Sequence, residues 1–282
     1  MPLQALLAYN VWQTAQREER QALQSVENLA AMIAHDAGSF VDSTTLYLTI
    51  VAQRPSLQAM DPARCDPVLE DAVRRHLHFA NVLVTDLVGQ SICSSVRGPG
   101  QVSRSFSSDE WFRDAVRSGG TVISKPFHAP IAQKTVLAFS QPVQNDLQRV
   151  GTVSVLVDLA SLQRQWDRLT LPAGSRLSLL DDTGSVLVTR PDFDRWVGKD
   201  ARRVRDNAME ANPGGTGITK GIDGVERVFA IAPVPFTGWS AVAALPVASV
   251  FAGYHSALQR SIAVSVAVVA AVALWAAFYG WP

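Results

Sequence analysis

Residues 81–95 read N-V-L-V-T-D-L-V-G-Q-S-I-C-S-S, two β-prone runs joined at Asp86-Leu87-Val88-Gly89. An aspartate carboxylate accepts hydrogen bonds from nearby backbone N–H groups, and glycine takes the φ > 0 position that closes such a turn. The stretch therefore predicts a hairpin. The same D-x-x-G turn recurs at Asp181 and Gly184 within 177–189, L-S-L-L-D-D-T-G-S-V-L-V-T. A second pair of segments follows each hairpin. Residues 136–143 lead into 151–158, and residues 228–234 lead through Phe236, Thr237 and Gly238 into 239–245. One such turn is weak evidence, since many hairpins carry it. The ordered recurrence of both hairpins predicts two similar modules in tandem.

Upstream of the first hairpin, residues 3 to about 53 read as one helix, with no proline between Pro2 and Pro55. From Leu23 the less polar positions are Leu23, Val26, Ala30, Ile33, Ala37, Phe40, Thr44, Tyr47 and Val51. Their steps of three and four form a heptad seam. One helix does not easily bury a seam of this length and also cover two modules. The rod from Leu23 to Val51 is therefore expected at or near a parallel homodimer interface, beside each protomer's own sheets. Residues 67–79 predict a second, shorter helix. Ser108-Asp109-Glu110 resembles a helix start, followed by Trp111, Phe112, Ala115 and Val116 on one side and closed by Gly119-Gly120. Strands are expected over 121–125, 134–141 and 151–158, and a helical connector over 161–169. The polar stretch 192–217 predicts loops and a short helix, and helical character resumes at Val247. From Ser261 onward there is no charge, and 262–279 is nearly all apolar, with Trp275, Tyr279 and Trp281 clustered at one end. That length and those aromatic anchors predict a membrane span.

Composition narrows the function. The chain of 282 residues carries 25 acidic and 25 basic side chains, so no global field points to nucleic acid. The two cysteines, Cys65 and Cys93, are far from any C-x-x-C spacing; they form either one disulfide or two buried thiols. Phosphate-loop, dinucleotide, zinc-protease and serine-hydrolase motifs are missing. His76 and His78, two apart on an expected helix, cannot share a metal on one face. Asp181-Asp182 is explained by turn chemistry. No catalytic residue, metal site or cofactor is expected.

Taken together, a long N-terminal helix, two tandem α/β modules and an exit helix into a membrane resemble the double Cache (dCache) extracytoplasmic sensor domain. This domain is common in bacterial histidine kinases, diguanylate cyclases and chemoreceptors. The matching residues are N-V-L-V-T-D-x-x-G with Cys93 on the return strand, Trp111-Phe112-x-x-Ala115, and G-T-V-S-V-L-V-D ending at Asp158. In the second module they are Leu171-Pro172-Ala173-Gly174 before L-S-L-L-D-D-x-G-S-V-L, then Asp223-Gly224, and Gly238-Trp239. The resemblance implies an α+β fold with antiparallel PAS-like sheets, divided as 1–54 (long helix), 55–170 (membrane-distal module), 171–246 (membrane-proximal module) and 247–282 (exit helix and span). It also implies an inner-membrane protein with residues about 10–255 periplasmic, a first span upstream, and a cytoplasmic output domain downstream. In an oxidising periplasm Cys65 and Cys93 are then expected to bridge, and the family often carries cysteines at these places.

The resemblance points to ligand binding in the distal module. Amino-acid-binding members carry R-x-W-Y, a following Tyr and an Asp ending the last strand. Trp111 and Asp158 match the Trp and the Asp. Phe112 and Phe127 replace the tyrosines, and Asp109 stands where the arginine would grip a carboxylate. Without that arginine, the main reason to expect an α-amino acid is gone. Arg104, Lys125 and Lys134 are candidate replacements for the cationic clamp. The expected ligand is a small polar or anionic metabolite, and the expected assembly a homodimer in a membrane. The rival readings are a ligand-free dimerisation module of such a receptor, or a tail-anchored cytosolic enzyme with reduced cysteines.

Overall fold

The structure is a computed structural model. It describes residues 2–96, 104–146, 148–212 and 214–250, together with Ile262, Ala263, Val266, Ala267, Ala270 and Leu274. Helix α1 runs over Pro2–Ala52, 51 residues and about 75 Å at 1.5 Å per residue. It stops where it must. Arg54 precedes Pro55 and is extended (φ −73°, ψ 129°), because proline excludes the helical conformation from the residue before it. Pro55 then opens the single turn α2 (Pro55–Gln58). The corner that follows is tied by Asp66, which accepts from Arg54 Nε at 2.6 Å, from Ser56 Oγ and from the Val68 N–H at 3.0 Å.

Helix α3 covers Val68–Arg75 and ends sooner than its sequence suggests. His76 is already extended, and His76 and His78 lie beyond the helix, stacked on Phe79 and bonded to Ser161 Oγ respectively. Strands β1 (Phe79–Asp86) and β2 (Ser91–Ser94) form the expected hairpin. After it come α4 (Glu110–Arg117), β3 (Val122–Ile123), β4 (Phe127–Ala129), β5 (Lys134–Asn145) and β6 (Gln148–Asp158). Helix α5 (Leu159–Trp166) leads to a second set: β7 (Arg176–Leu180), β8 (Val186–Arg190), α6 (Phe193–Trp196), α7 (Arg202–Ala211), β9 (Thr216–Lys220), β10 (Glu226–Pro233) and β11 (Ser240–Pro246). Helix α8 starts at Val247–Val250. Polar residues 192–217 thus hold two helices and the start of β9.

Both sheets are antiparallel. The first has the order β2-β1-β6-β5-β3, with β4 also paired to β5; the second has β8-β7-β11-β10-β9. The leading four strands of each follow the same path. The two turns also match in detail. Asp86 Oδ1 accepts from Val88 N–H (3.0 Å) and Gln90 N–H (2.8 Å), and Gly89 has φ +86°. Asp181 Oδ1 accepts from Thr183 Oγ1 (2.7 Å) and Ser185 N–H (2.8 Å), and Gly184 has φ +84°.

Alternation along the strands divides each sheet between two layers. Val82, Val84, Leu137, Phe139, Val153, Val155 and Val157 share one core with Leu177, Leu179, Val228, Ala230, Ala241 and Ala243. Helix α1 belongs to that same core through Val26, Ala30, Ile33, Ala34, Val41, Leu48 and Val51. The helix passes both sheets. Phe40 meets Phe139 edge to face and Tyr47 lies against Phe79, while Gly38 is so close to Pro235 that a Cβ there would sit 3.1 Å from its Cδ. The heptad seam from Val26 to Val51 is therefore packed into the chain's own core, against both sheets. Thr44, buried in the seam, is satisfied by donating to the Phe40 carbonyl at 2.8 Å.

The disulfide Cys65–Cys93 is formed, with Cα atoms 5.6 Å apart, and it ties the segment before α3 to β2. Among the described residues no helix is long and apolar enough to cross a membrane. The expected span over 262–279 lies largely outside the described residues.

Candidate functional site

The strand faces turned away from α1 each cover a cavity. In the first module Asn81, Leu83 and Leu156 form the floor of a cleft of about 70 Å³. Its walls are Arg104 and Phe106 from the strand-like return at 104–106, Asp109 and Trp111 at the start of α4, and β4 with the turn after it. These pieces meet because α4 buries one side. Trp111, Phe112 and Ala115, at helical spacing, are all nearly inaccessible.

Aromatic packing sets the shape of the cleft. Trp111 stacks parallel on Phe127, with ring centroids 6.1 Å apart and planes within 8°. Phe106 leans on Trp111 from another side at 5.4 Å, and the Arg104 guanidinium sits 5.3 Å above the Phe106 ring. Such a contact orients a cation while leaving its donors for a partner. Asp109 occupies the N-cap of α4, yet its carboxylate makes no capping bond. Asn81 is 2% exposed, and its Oδ1 accepts from Ser94 Oγ (3.0 Å), Ser95 Oγ (2.8 Å) and Val96 N–H (3.2 Å). Among the described residues its amide nitrogen has no partner. A cation, a carboxylate, an amide and two stacked rings thus converge on one small space.

Of the residues singled out from the sequence, Arg104, Asp109, Trp111 and Phe127 line this cleft together. Phe112 does not; it is buried behind Trp111, edge to face at 6.1 Å. Lys125 is exposed and stands outside the lining. Asp158 is buried for another purpose. It pairs with Lys134 Nζ at 2.9 Å and Arg164 at 3.4 Å, and it caps α5 by accepting the Ser161 N–H at 3.2 Å. Burial alone would raise its pKa, but the hydrogen bond and charge of Lys134, the Ser161 N–H and Arg164 hold it below the ordinary value. Lys134 is thereby committed to Asp158 and does not clamp anything in the cleft. Asn81, Phe106 and His128 were not singled out. Asn81 was legible only as part of a strand, and His128 sits on β4, a strand too short to show a pattern.

A larger cavity of about 310 Å³ lies where α1 meets both sheets, lined by Phe40, His78, Leu137, Phe139, Trp166 and Trp239 among others. His78 Nδ1 is 2.8 Å from Ser161 Oγ at its edge. Burial depresses the imidazole pKa, the nearby Asp158 opposing that shift.

The family model for the Cache domain matches residues 12–254. Solved structures share the fold. The extracellular domain of the putative histidine kinase rpHK1S-Z16 superposes with a TM-score of 0.71 at 19% identity, covering 83% of this chain and 98% of that one. The ligand-binding domain of the Pseudomonas fluorescens chemoreceptor CtaA, in complex with L-serine, gives 0.64 at 17% identity, over 81% and 98%. That of the Campylobacter jejuni chemoreceptor Tlp3, in complex with L-valine, gives 0.62 at 14%, over 83% and 96%. Among curated proteins, none matches this sequence. With the family model spanning most of its length, the chain belongs to the dCache family of Cache domains.

Proposed function

We propose that the chain is the extracytoplasmic sensing input of a membrane-bound signalling receptor, and that it binds a small polar or anionic metabolite in the distal cleft. One observation carries this reading: Arg104, Asp109, Trp111, Phe127 and Asn81, drawn from four separate segments, face a single space. A module serving only to dimerise has no need for a cation, a carboxylate and a free amide around a cavity. The ligand-bound structures of similar fold, with L-serine in CtaA and L-valine in Tlp3, support a sensing role for such a domain. The apolar run 262–279 supports attachment to a membrane. Transmission then follows from α1, which shares a core with both modules and lies against α8 at the proximal end. A ligand that favours one cleft geometry biases the tilt of α1 only by its differential affinity for the two states. A homodimer is part of this reading, formed through the outer face of α1 and not through its seam.

The test is a thermal-shift screen of the purified full chain against carboxylic acids, amino acids and their amides. At a hundred times its Kd, a ligand raises stability by about 2.7 kcal/mol. Trp111→Ala and Arg104→Gln are expected to remove that shift and leave the circular dichroism spectrum of the fold. A shift that survives both variants places binding elsewhere, and no shift from any compound favours the ligand-free dimerisation module.

A further inference from the structure

The larger cavity, of about 310 Å³, has no part in the distal cleft. It draws its wall from both modules and from the helix that runs past them. Ile33 and Phe40 come from α1, Phe139 from β5, and Leu179 and Val188 from β7 and β8. Trp166 on α5 and Trp239 just before β11 complete the wall, and of these seven side chains all but Phe40 are buried. The lining turns polar at Asp36 and Ser39 on α1 and at Gln165 on α5. All three are exposed, which places the opening between these two helices. Among the described residues none of the three side chains has a hydrogen-bond or ion-pair partner. His78, also in the lining, is bonded to Ser161 Oγ, and burial holds its imidazole below the usual pKa against the pull of Asp158. It adds no charge near neutral pH.

Such a space is unfavourable when empty and poorly suited to water. An unfilled apolar cavity forfeits dispersion contacts along its wall, and protein interiors hold few voids larger than a water. The volume admits about ten waters at about 30 Å³ each, and every one needs two or more polar partners. The wall does not supply them. It does supply two indole N–H groups, those of Trp166 and Trp239, without a partner among the described residues. Neither nitrogen is sealed off as Trp196 Nε1 is. Buried tryptophan nitrogens ordinarily find an acceptor. Pockets for small molecules begin at about 300 Å³ and favour joints between domains. A dry cavity of about 150 Å³ takes one benzene ring, so this one has room for two fused rings.

We propose that this joint is a second ligand site, taking a neutral two-ring aromatic molecule that carries a single hydroxyl or carbonyl oxygen. The rings lie on the wall of Phe40, Phe139 and the two tryptophans, and the oxygen accepts from an indole N–H. An anion is disfavoured, because no cation lines the cavity and Asp36 stands at its mouth. A cation gains only that exposed carboxylate, whose attraction water screens. Because the occupant touches α1 and both sheets, it braces the two modules against one another, a control separate from the distal cleft.

The experiment is isothermal titration of the purified full chain with β-naphthol, with β-naphthoate and β-naphthylmethylammonium as ions of the same ring system. All samples share one detergent, so that its own uptake of the probe cancels. Saturable binding of β-naphthol is expected. Both ions should bind at least about tenfold more weakly, since burying an unpaired charge costs far more than burying a hydroxyl. Ala37→Phe fills the cavity from α1 and Leu162→Trp from α5; each should abolish binding, while far-UV spectra and melting temperatures report whether the fold persists. Trp239→Phe keeps a ring but removes an N–H, and should weaken binding by about fivefold. It decides the matter if neither filled variant folds. Absence of saturable β-naphthol binding overturns the proposal. Binding that survives in a folded filled variant, unchanged affinity in Trp239→Phe, or an ion bound as tightly as β-naphthol overturns it as well.

Discussion

Aligned on their turn aspartates, strand β1 reads N-V-L-V-T-D and β7 reads R-L-S-L-L-D. The residues facing α1, Val82 and Val84 in one and Leu177 and Leu179 in the other, are interchangeable aliphatics in a shared core. The residues facing the cavities are not. Asn81 stands where the second module has Arg176, and Val136 on β5 stands where β10 has Arg227, counting back from Pro142 and Pro233. The first cleft has Arg104 and Asp109 both in its lining, whereas the cavity of the second module is lined mainly by apolar side chains, with Arg176, Arg205, Arg227, Ser178 and Thr219 among them and no carboxylate. The comparison shows where divergence is cheap. Substitution on the face packed against α1 is limited by close packing, while the other face can change its chemistry without disturbing the core.

The modules also differ in what holds them. The first has a covalent tie beside its ion pairs, and the second an ion cluster without one, in which Arg176 and Arg227 share Asp223. Breaking the tie should have the largest effect. The bridge Cys65–Cys93 closes a separation of 28 residues, worth about 3.5 kcal/mol in the chain-entropy account. Cys65→Ser with Cys93→Ser should lower the melting temperature accordingly, and reductant should lower that of the wild type but not of the double variant. Equal melting of all four samples would mean that the distal module does not depend on its bridge.

Next in size is Asp223→Ala, which leaves two buried guanidiniums without their shared carboxylate. Removing one member of a buried cluster costs about 3 kcal/mol. Chemical denaturation in the presence and absence of reductant separates this loss from the first, since only the disulfide is reducible. The cost should be unaffected by reductant. A variant as stable as the wild type would show that the arginines find solvent or each other's partners instead.

Acid should probe the same cluster more gently. Burial pushes the Asp223 pKa up, but the hydrogen bonds from Arg227 and the Val225 N–H, with the charges of Arg227 and Arg176, bring it down to about 2. The unfolded carboxyl titrates near 3.9, so as pH falls the unfolded chain takes up the proton first. The stabilisation is complete above about pH 4 and is lost on the way down to about pH 2. A difference of nearly two pH units amounts to about 2–3 kcal/mol. Asp223→Asn should flatten this part of the stability profile. Asp66 and Asp158, also held below the ordinary value, add losses of the same sign in the acid range. A profile identical in slope for wild type and variant would remove Asp223 from the account.

What the chain announces in advance is local. The D-x-x-G turns, the proline-free run to Pro55 and the alternation of β5 and β6 are patterns of neighbours, and each produced the element expected of it. What stayed hidden depends on partners distant in sequence. The seam of α1 has the same period whether a second helix or a sheet covers it, so periodicity could not say that Val26, Ile33 and Leu48 belong to the chain's own core. Asp158 matched a ligand-binding pattern, yet Lys134, Arg164 and the end of α5 already use its charge. The pairing of Arg176 with Asp223 spans 47 positions and has no sequence motif at all.

The smallest effect on stability, and the most specific, should come from the outer face of α1. Leu46 and Ile50 are 61% and 58% exposed there, beside the first module, one turn apart on a helix whose opposite face is packed into the core from Val26 to Val51. Exposed side chains make few contacts in the monomer, so Leu46→Ser with Ile50→Ser should change unfolding free energy by no more than about 0.5 kcal/mol. By contrast Leu48→Ala, with its side chain fully buried between them, should cost about 2–5 kcal/mol. If the homodimer forms along this face, the serine pair removes its apolar centre. Sedimentation velocity should then show a markedly weaker association of the full chain at unchanged stability. The dimer contact would then sit with the distal module, the same half that holds the mixed-charge cleft. Self-association that is indifferent to Leu46 and Ile50 would move the contact elsewhere and break the link between the distal module and assembly.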